Sequence, residues 1–363
     1  MRKTKGRVVS GILLVTVSLW MTACSQRGTG SSSEGAVNSR GVKSEESETV
    51  KQSPDEEKTL RFSIVQYEGE HGYVAANKVK ETVEKATEGK IKIDVYPASQ
   101  LGEWTQIYDE LMMGTLDLAI TSVPDTYNIQ VSAGFLPYLA TDWEQLRTVY
   151  APDSFLSQTM VKLQEEQGIK FFGIYCEGFT GIGTSKEIKN PGESDKDKDV
   201  LVRVPSNDVW RLTFERLGFR TSTIPYNDTY AALQTGVIDG WAGCAPHYHY
   251  TGYRDVESAY YAYDAVADGL QVLMSEKTWN SLSEDEQKIM QEALEECASS
   301  SIDSAEASDR EYKDKLRESG MEIIEFTPEE KERMAEDVRN YVWGELENEF
   351  TPEFIKSLRD SLQ

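Results

Sequence analysis

The sequence predicts an α/β protein of two lobes with a long helix spanning both. Three observations predict it. Strand and helix signals alternate from Thr59 to Ser122, a second alternating set begins at Ile169, and a helical pattern runs without Gly or Pro from Ser283 to Ser319. Alternation of this kind argues for parallel sheets covered by helices. The roughly 300 residues involved suffice for two lobes of ordinary size.

The chain opens with Arg2, Lys3, Lys5 and Arg7, the apolar run "VVSGILLVTVSLW", and "MTAC" ending at Cys24. That is the layout of a secretory signal over residues 1–23, too short and wrongly flanked to stay as a membrane helix. Small residues before the cysteine resemble a bacterial lipobox, so Cys24 is expected to be lipidated and to become the mature N-terminus. Met21 stands where Leu is usual, and a cleaved signal with an incidental Cys24 is the alternative. Residues 24–58 then run rich in Ser, Gly and Glu, with no aromatic residue. Such a segment buries too little apolar surface to offset its ordering entropy, so it is expected to be a disordered tether.

The first set comprises "TLRFSIVQ" (59–66) as a strand and "HGYVAANKVKETVEKATEG" as a helix with Val74, Lys78 and Val83 near one face. A strand "KIKIDVYP" (90–97), a helix "EWTQIYDELMMG" and a buried strand "LDLAITS" (116–122) follow. Gly89 and Gly114 are the helix stops. The second set has strands at 169–175, 180–185 and 200–204, then helices over "NDVWRLTFERLG" and "NDTYAALQTG", stopped by Gly218 and Gly236. Crossings between lobes fall near 176–180 and 258–264. The expected division is 59–177 plus 262–301 for lobe I and 178–261 plus 302–363 for lobe II. Ser283 and Glu286 form a capping box, and the helix they open would reach roughly 50 Å, enough to act as a strut. Thr327, Pro328 and Glu330 begin another helix with a second box.

A formal charge of −24 repels nucleic acid and anionic headgroups. An anionic ligand would therefore need a local cationic anchor. Of the four cysteines, Cys24, Cys176, Cys244 and Cys297, none forms a CxxC pair. Cys297 falls on the helical face of Met290, Ala293 and Leu294 as a core thiol, and a Cys176–Cys244 pair stays open. Enzyme motifs (GxSxG, a P-loop, GxGxxG after a strand, HExxH) do not occur. In an extended "HYHY", His247 and His249 would face one side and could hold a metal; solvent-exposed or aromatic-packed histidines are the other reading. No third ligand, metal or cofactor is indicated.

Recognition residues are better marked. Arg203 interrupts the β-branched run "DVLVRVP", and a buried guanidinium is costly unless paired. Placed where a strand ends, it can hold a ligand carboxylate through two parallel hydrogen bonds, or else pair internally with an acid. Asn207 follows as a polar partner near a helix start. Trp241, delivered by "VIDGW", offers a flat wall to an apolar ligand face, or is a core or hinge tryptophan. Tyr248 and His247 would share that wall. Tyr67, Glu68 and Trp104 lie in loops after strands and face a cleft, and Glu177 lies beside the crossing.

The segments "IKIDVYPASQLGEW", "LMMGTLDLAITS", "GFLPYLATDWEQL", "VRVPSND" and "YAALQTGVIDGW", in this order and spacing, resemble the DctP-type solute-binding proteins of TRAP (tripartite ATP-independent periplasmic) transporters. The resemblance covers nearly all of 59–363. It implies a two-lobed periplasmic-binding-protein-like fold closing over a carboxylate-bearing solute, with Arg203 as the carboxylate clamp. Thr180 stands where sialic-acid binders carry a second arginine, and Gly236 where such members have a ligand-contacting Asn. The expectation is an extracytoplasmic lipoprotein, anchored through Cys24, that captures a small organic acid and passes it to a TRAP-type permease without performing chemistry. A sensor subunit presenting the solute to a receptor, and a metal-dependent lipoprotein hydrolase, are the alternatives.

Overall fold

The computed structural model describes residues 57–362. The signal segment, Cys24 and all but the last two residues of the expected tether lie outside them. Eleven strands follow in chain order among the described residues. They are β1 (Lys58–Ile64), β2 (Ile91–Tyr96), β3 (Leu118–Thr121), β4 (Ile169–Phe179), β5 (Ile182–Thr184), β6 (Leu201–Val204), β7 (Arg220–Thr223), β8 (Gly240–Ala242), β9 (Ala259–Ala262), β10 (Ala267–Ser275) and β11 (Glu322–Glu325).

Two sheets result, ordered β2-β1-β3-β10-β4 and β11-β9-β5-β8-β6-β7. The β1, β2 and β3 strands are parallel, joined by helices as βαβ units require. Both sheets are nonetheless mixed, because the chain crosses twice between them. It leaves the first sheet through β4 and enters the second as β5, antiparallel to β8 and β9. It returns after β9 as β10, antiparallel to β3 and β4. Every residue of β3 is buried, as befits a strand covered on both faces.

One face of the first sheet packs Phe62, Ile93 and Ile120 against Val79, Val83, Met290 and Leu294. Its other face continues through Leu111, Ala119 and Met160 to Val202, Val204, Phe214 and Trp343 around the second sheet. In the helix His71–Ala86 the buried face is Gly72, Ala76, Val79 and Val83, and Val74 is exposed, so the expected stripe is rotated. Gly218 is required where it stands: its φ is +95°, and a Cβ would meet the Lys196 carbonyl oxygen.

The expected single strut is two helices, Glu284–Ser299 and Ser301–Glu318, opened by the Ser283–Glu286 capping box. Ser300 separates them, and the cause is local. Ser300 Oγ donates to the Glu296 carbonyl at 2.7 Å and Ser301 Oγ to that of Ala298 at 2.5 Å. Back-bonding of this kind bends helices. The break lies against the first crossing, where the Cys176 amide donates to Ser301 Oγ at 2.8 Å. The first helix lies on one sheet, and Leu316 of the second packs on Tyr260 and Ala262 of the other. The C-terminal helices touch both halves: Arg216 pairs with Asp337, Trp343 Nε1 donates to the Pro137 carbonyl, and Phe354 packs on Phe155. Cys176, Cys244 and Cys297 are free and buried. Among the described residues no helix is long and apolar enough to cross a membrane.

Candidate functional site

The carboxyl ends of β1, β3, β6 and β8 converge between the sheets, where open α/β sheets collect ligands. Val65, Ser122, Val123, Pro205, Gly243 and Cys244 leave those strands directly into a cavity of about 820 Å³, its mouth included. Trp104, Phe135, Trp210, Tyr226 and Tyr248 contribute an aromatic part of the wall.

Arg203 reaches this cavity from β6 and is 5 % exposed. Its Nε donates to the Ile224 carbonyl at 2.8 Å, and Nη1 reaches the Ala242 carbonyl only at 3.5 Å. Among the described residues it makes no salt bridge, so the internal pairing that the sequence left open is not formed. Burial pulls its pKa down from the usual value. What this geometry presents is a desolvated guanidinium, anchored on one edge by a carbonyl and open on the other.

Glu177, at the end of β4, is also buried. Gln66 Nε2 donates to Oε1 at 2.5 Å and the Tyr248 hydroxyl to Oε2 at 3.0 Å. Burial dominates over these donors and, with Asp268 nearby, pushes its pKa up to about 8. Asp268, near the start of β10, lines the same cavity at 8 % exposure, and burial pushes it up to about 7 against the pull of Arg203.

The other expected residues divide. Trp104 opens its helix, Trp104–Met113, on the cavity wall. Asn207 also lines the cavity, but its amide is engaged: Oδ1 caps the helix Asp208–Arg216 through Val209 N, and Nδ2 donates to Ser132 Oγ at 3.0 Å. Tyr67, Glu68 and His247 line a second hollow that shares Tyr226 and Tyr248 with the first. Trp241 is the correction. It is fully buried, donating to Glu257 Oε1 at 2.5 Å and lying 4.3 Å from the Tyr253 ring and 4.5 Å from His249. Its central strand β8, between β5 and β6, turns the indole inward; Tyr226, 6.1 Å away, takes the place at the wall.

The "HYHY" segment is helical, so His247 and His249 diverge. His249 Nδ1 contacts Glu257 at 3.0 Å. The His247 ring lies 3.9 Å from that of Tyr248, tilted by 37°, and its Nε2 is 3.7 Å from Glu177, beyond a hydrogen bond. Burial pushes its pKa down to about 3, so the ring is neutral and this contact is no ion pair at neutral pH. Among the described residues no group of three or more His, Cys, Asp or Glu side chains is placed to hold a metal. The sequence reading missed Asp268, Tyr226, Glu103 and Cys244. Only Asp268 carried a signal, being an acid at the head of an apolar strand, the same anomaly that marks Arg203.

Comparison with known proteins agrees with this architecture. The family model described as bacterial extracellular solute-binding protein, family 7, matches residues 62–348. The chain is 24 % identical over 268 residues to the sialic acid-binding periplasmic protein SiaP of Vibrio cholerae, covering 73 % of this chain and 82 % of that protein. A TRAP periplasmic solute-binding protein of Haemophilus influenzae, solved with bound L-gulonate, superposes with a TM-score of 0.76 at 21 % identity, covering 84 % of this chain and all of the other. One from Shewanella oneidensis, solved with bound succinate, gives 0.76 at 23 % identity over 85 % of this chain and 100 % of the other. At these identities the superpositions show the two-lobed fold.

Proposed function

The chain belongs to the bacterial extracellular solute-binding proteins of family 7, and we propose that it captures a small organic acid by its carboxylate on Arg203. The observation that carries this is the guanidinium itself: buried, in no salt bridge among the described residues, and facing the cavity between the sheets. An unpaired buried charge costs several kcal/mol, which an arriving carboxylate repays with two charge-assisted hydrogen bonds. The relatives point the same way, being named for sialic acid or solved with L-gulonate and succinate. Trp104, Tyr226 and Tyr248 enclose the ligand body, and Tyr67, Glu68 and His247 stand at the adjoining hollow.

Binding works by population shift. Contacts from both sheets favour the closed arrangement by their differential affinity, and no bond of the solute is broken. In this reading Cys24 carries a lipid, residues 24–58 hold the body off the membrane, and a TRAP-type permease receives the solute. Labelling of the expressed protein with a fatty-acid analogue, lost in Cys24→Ser, tests the anchor.

A thermal-shift screen of the protein and Arg203→Ala against mono- and dicarboxylates, keto acids, sugar acids and amino acids tests the site. Ligand at 100 times its Kd stabilises by about 2.7 kcal/mol, a shift of about 4 °C for a body of this size. An acid that stabilises the parent but not the variant supports the reading. Equal shifts in both place the carboxylate elsewhere and sink it.

A further inference from the structure

Among the described residues that line the cavity Arg203 is the one cation, and three acids line it as well: Glu103, Glu177 and Asp268. Two of them are occupied. Glu103 accepts from Asn227 Nδ2 at 2.8 Å, and Glu177 accepts from Gln66 and Tyr248. Asp268 is different: at 8 % exposure it accepts no hydrogen bond from any described residue and makes no salt bridge. Asp268 thus presents a carboxyl to the ligand cavity with no protein partner, as Arg203 presents the open edge of its guanidinium.

One ligand can engage both groups. A dicarboxylate would satisfy Arg203 with one end and set its other end beside Asp268, a carboxylate facing a carboxylate unless one of them holds a proton. A simple monocarboxylate would satisfy Arg203 and make no use of Asp268. We propose that the solute carries one carboxylate and one cationic nitrogen, the carboxylate on Arg203 and the nitrogen on Asp268. The aromatic wall suits such a ligand, since the faces of Trp210, Tyr226 and Tyr248 attract a cation as well as covering its carbon skeleton.

This rests on the reading of Arg203 as carboxylate clamp, and the test separates the two. Affinities of the full-length protein are measured by calorimetry for matched C3–C6 sets: the ω-amino acid, the α-amino acid, the amine-free monocarboxylate and the dicarboxylate. At least one amino-bearing acid is expected to bind about thirtyfold or more tightly than its amine-free partner. Asp268→Asn, which keeps the shape, is expected to erase that preference without weakening the monocarboxylate, and Arg203→Ala to abolish both. The proposal is overturned if mono- or dicarboxylates bind as tightly as the amino-bearing member, if no amino-bearing acid binds at 10 mM, or if a folded Asp268→Asn keeps the preference. In the first and last of these cases, loss of binding in Arg203→Ala leaves the carboxylate clamp standing.

Discussion

Asn227 donates its side-chain amide to the Glu103 carboxylate at 2.8 Å, and this bond joins the two walls of the cleft. Asn227 follows β7 of the second sheet, and Glu103 is the N-cap residue of a helix packed on the first. The pair is exposed, so its net worth lies near the low end for a hydrogen bond, about 0.5–1 kcal/mol. Asn227→Ala is expected to raise the Kd of any captured acid by no more than about fivefold, by depleting the closed population. Calorimetry with an acid found in the screen checks this.

Arg203→Met should separate binding from stability. Ligand affinity is expected to fall by about a hundredfold or more, since truncating one partner of a buried charge pair costs about 2–5 kcal/mol. The ligand-free protein should be no less stable in urea, because the variant removes an unpaired buried charge. A large loss of stability would instead mark Arg203 as structural.

The acids of the cavity set a pH dependence. Asp268 faces Arg203 from β6, Glu177 and Cys176 from β4, Tyr150 beyond the helix Trp143–Val149, and Cys244 after β8. Its pKa rises from 3.8 to about 7, and that of Glu177 from 4.5 to about 8. Between about pH 4 and 8 the folded protein thus binds more protons than the unfolded chain, and stability contributed by these groups is lost as pH rises through that window. Urea midpoints of the ligand-free protein should fall from pH 5 to 8, and fall less in Glu177→Gln and Asp268→Asn.

The same shift bears on capture. A cationic nitrogen on Asp268 draws the proton off, so binding of an amino-bearing acid at pH 7 should release protons. Enthalpies measured in phosphate and in Tris should then differ, and the difference should shrink in Asp268→Asn.

Ser301→Ala tests the break in the strut. The substitution removes the acceptor of the buried Cys176 amide while keeping helix propensity. An orphaned buried N–H costs about 1–3 kcal/mol, and urea unfolding should show that loss.

The sequence by itself determined what neighbours within a few residues decide. Both capping boxes form where Ser283 and Thr327 stand, and Gly114 ends its helix in the left-handed region. Arg203 was visible because a cation in a β-branched strand is a local contradiction. The helix His71–Ala86 was placed correctly, but its buried face was not, since that depends on the sheet it meets. The tertiary structure alone decided the rest. Trp241 lost its place at the wall to Tyr226 because β8 lies between β5 and β6, a pairing that no stretch around residue 241 encodes. The serines at 300 and 301 break the strut through local back-bonds, but that Ser301 also accepts from the Cys176 amide, more than a hundred residues earlier in the chain, was decided by the fold. Asp268 acquired its meaning only when the second crossing carried it opposite Arg203. Caps and turns are satisfied by adjacent backbone groups, whereas burial and charge pairing in a cavity depend on which distant strands are hydrogen-bonded side by side.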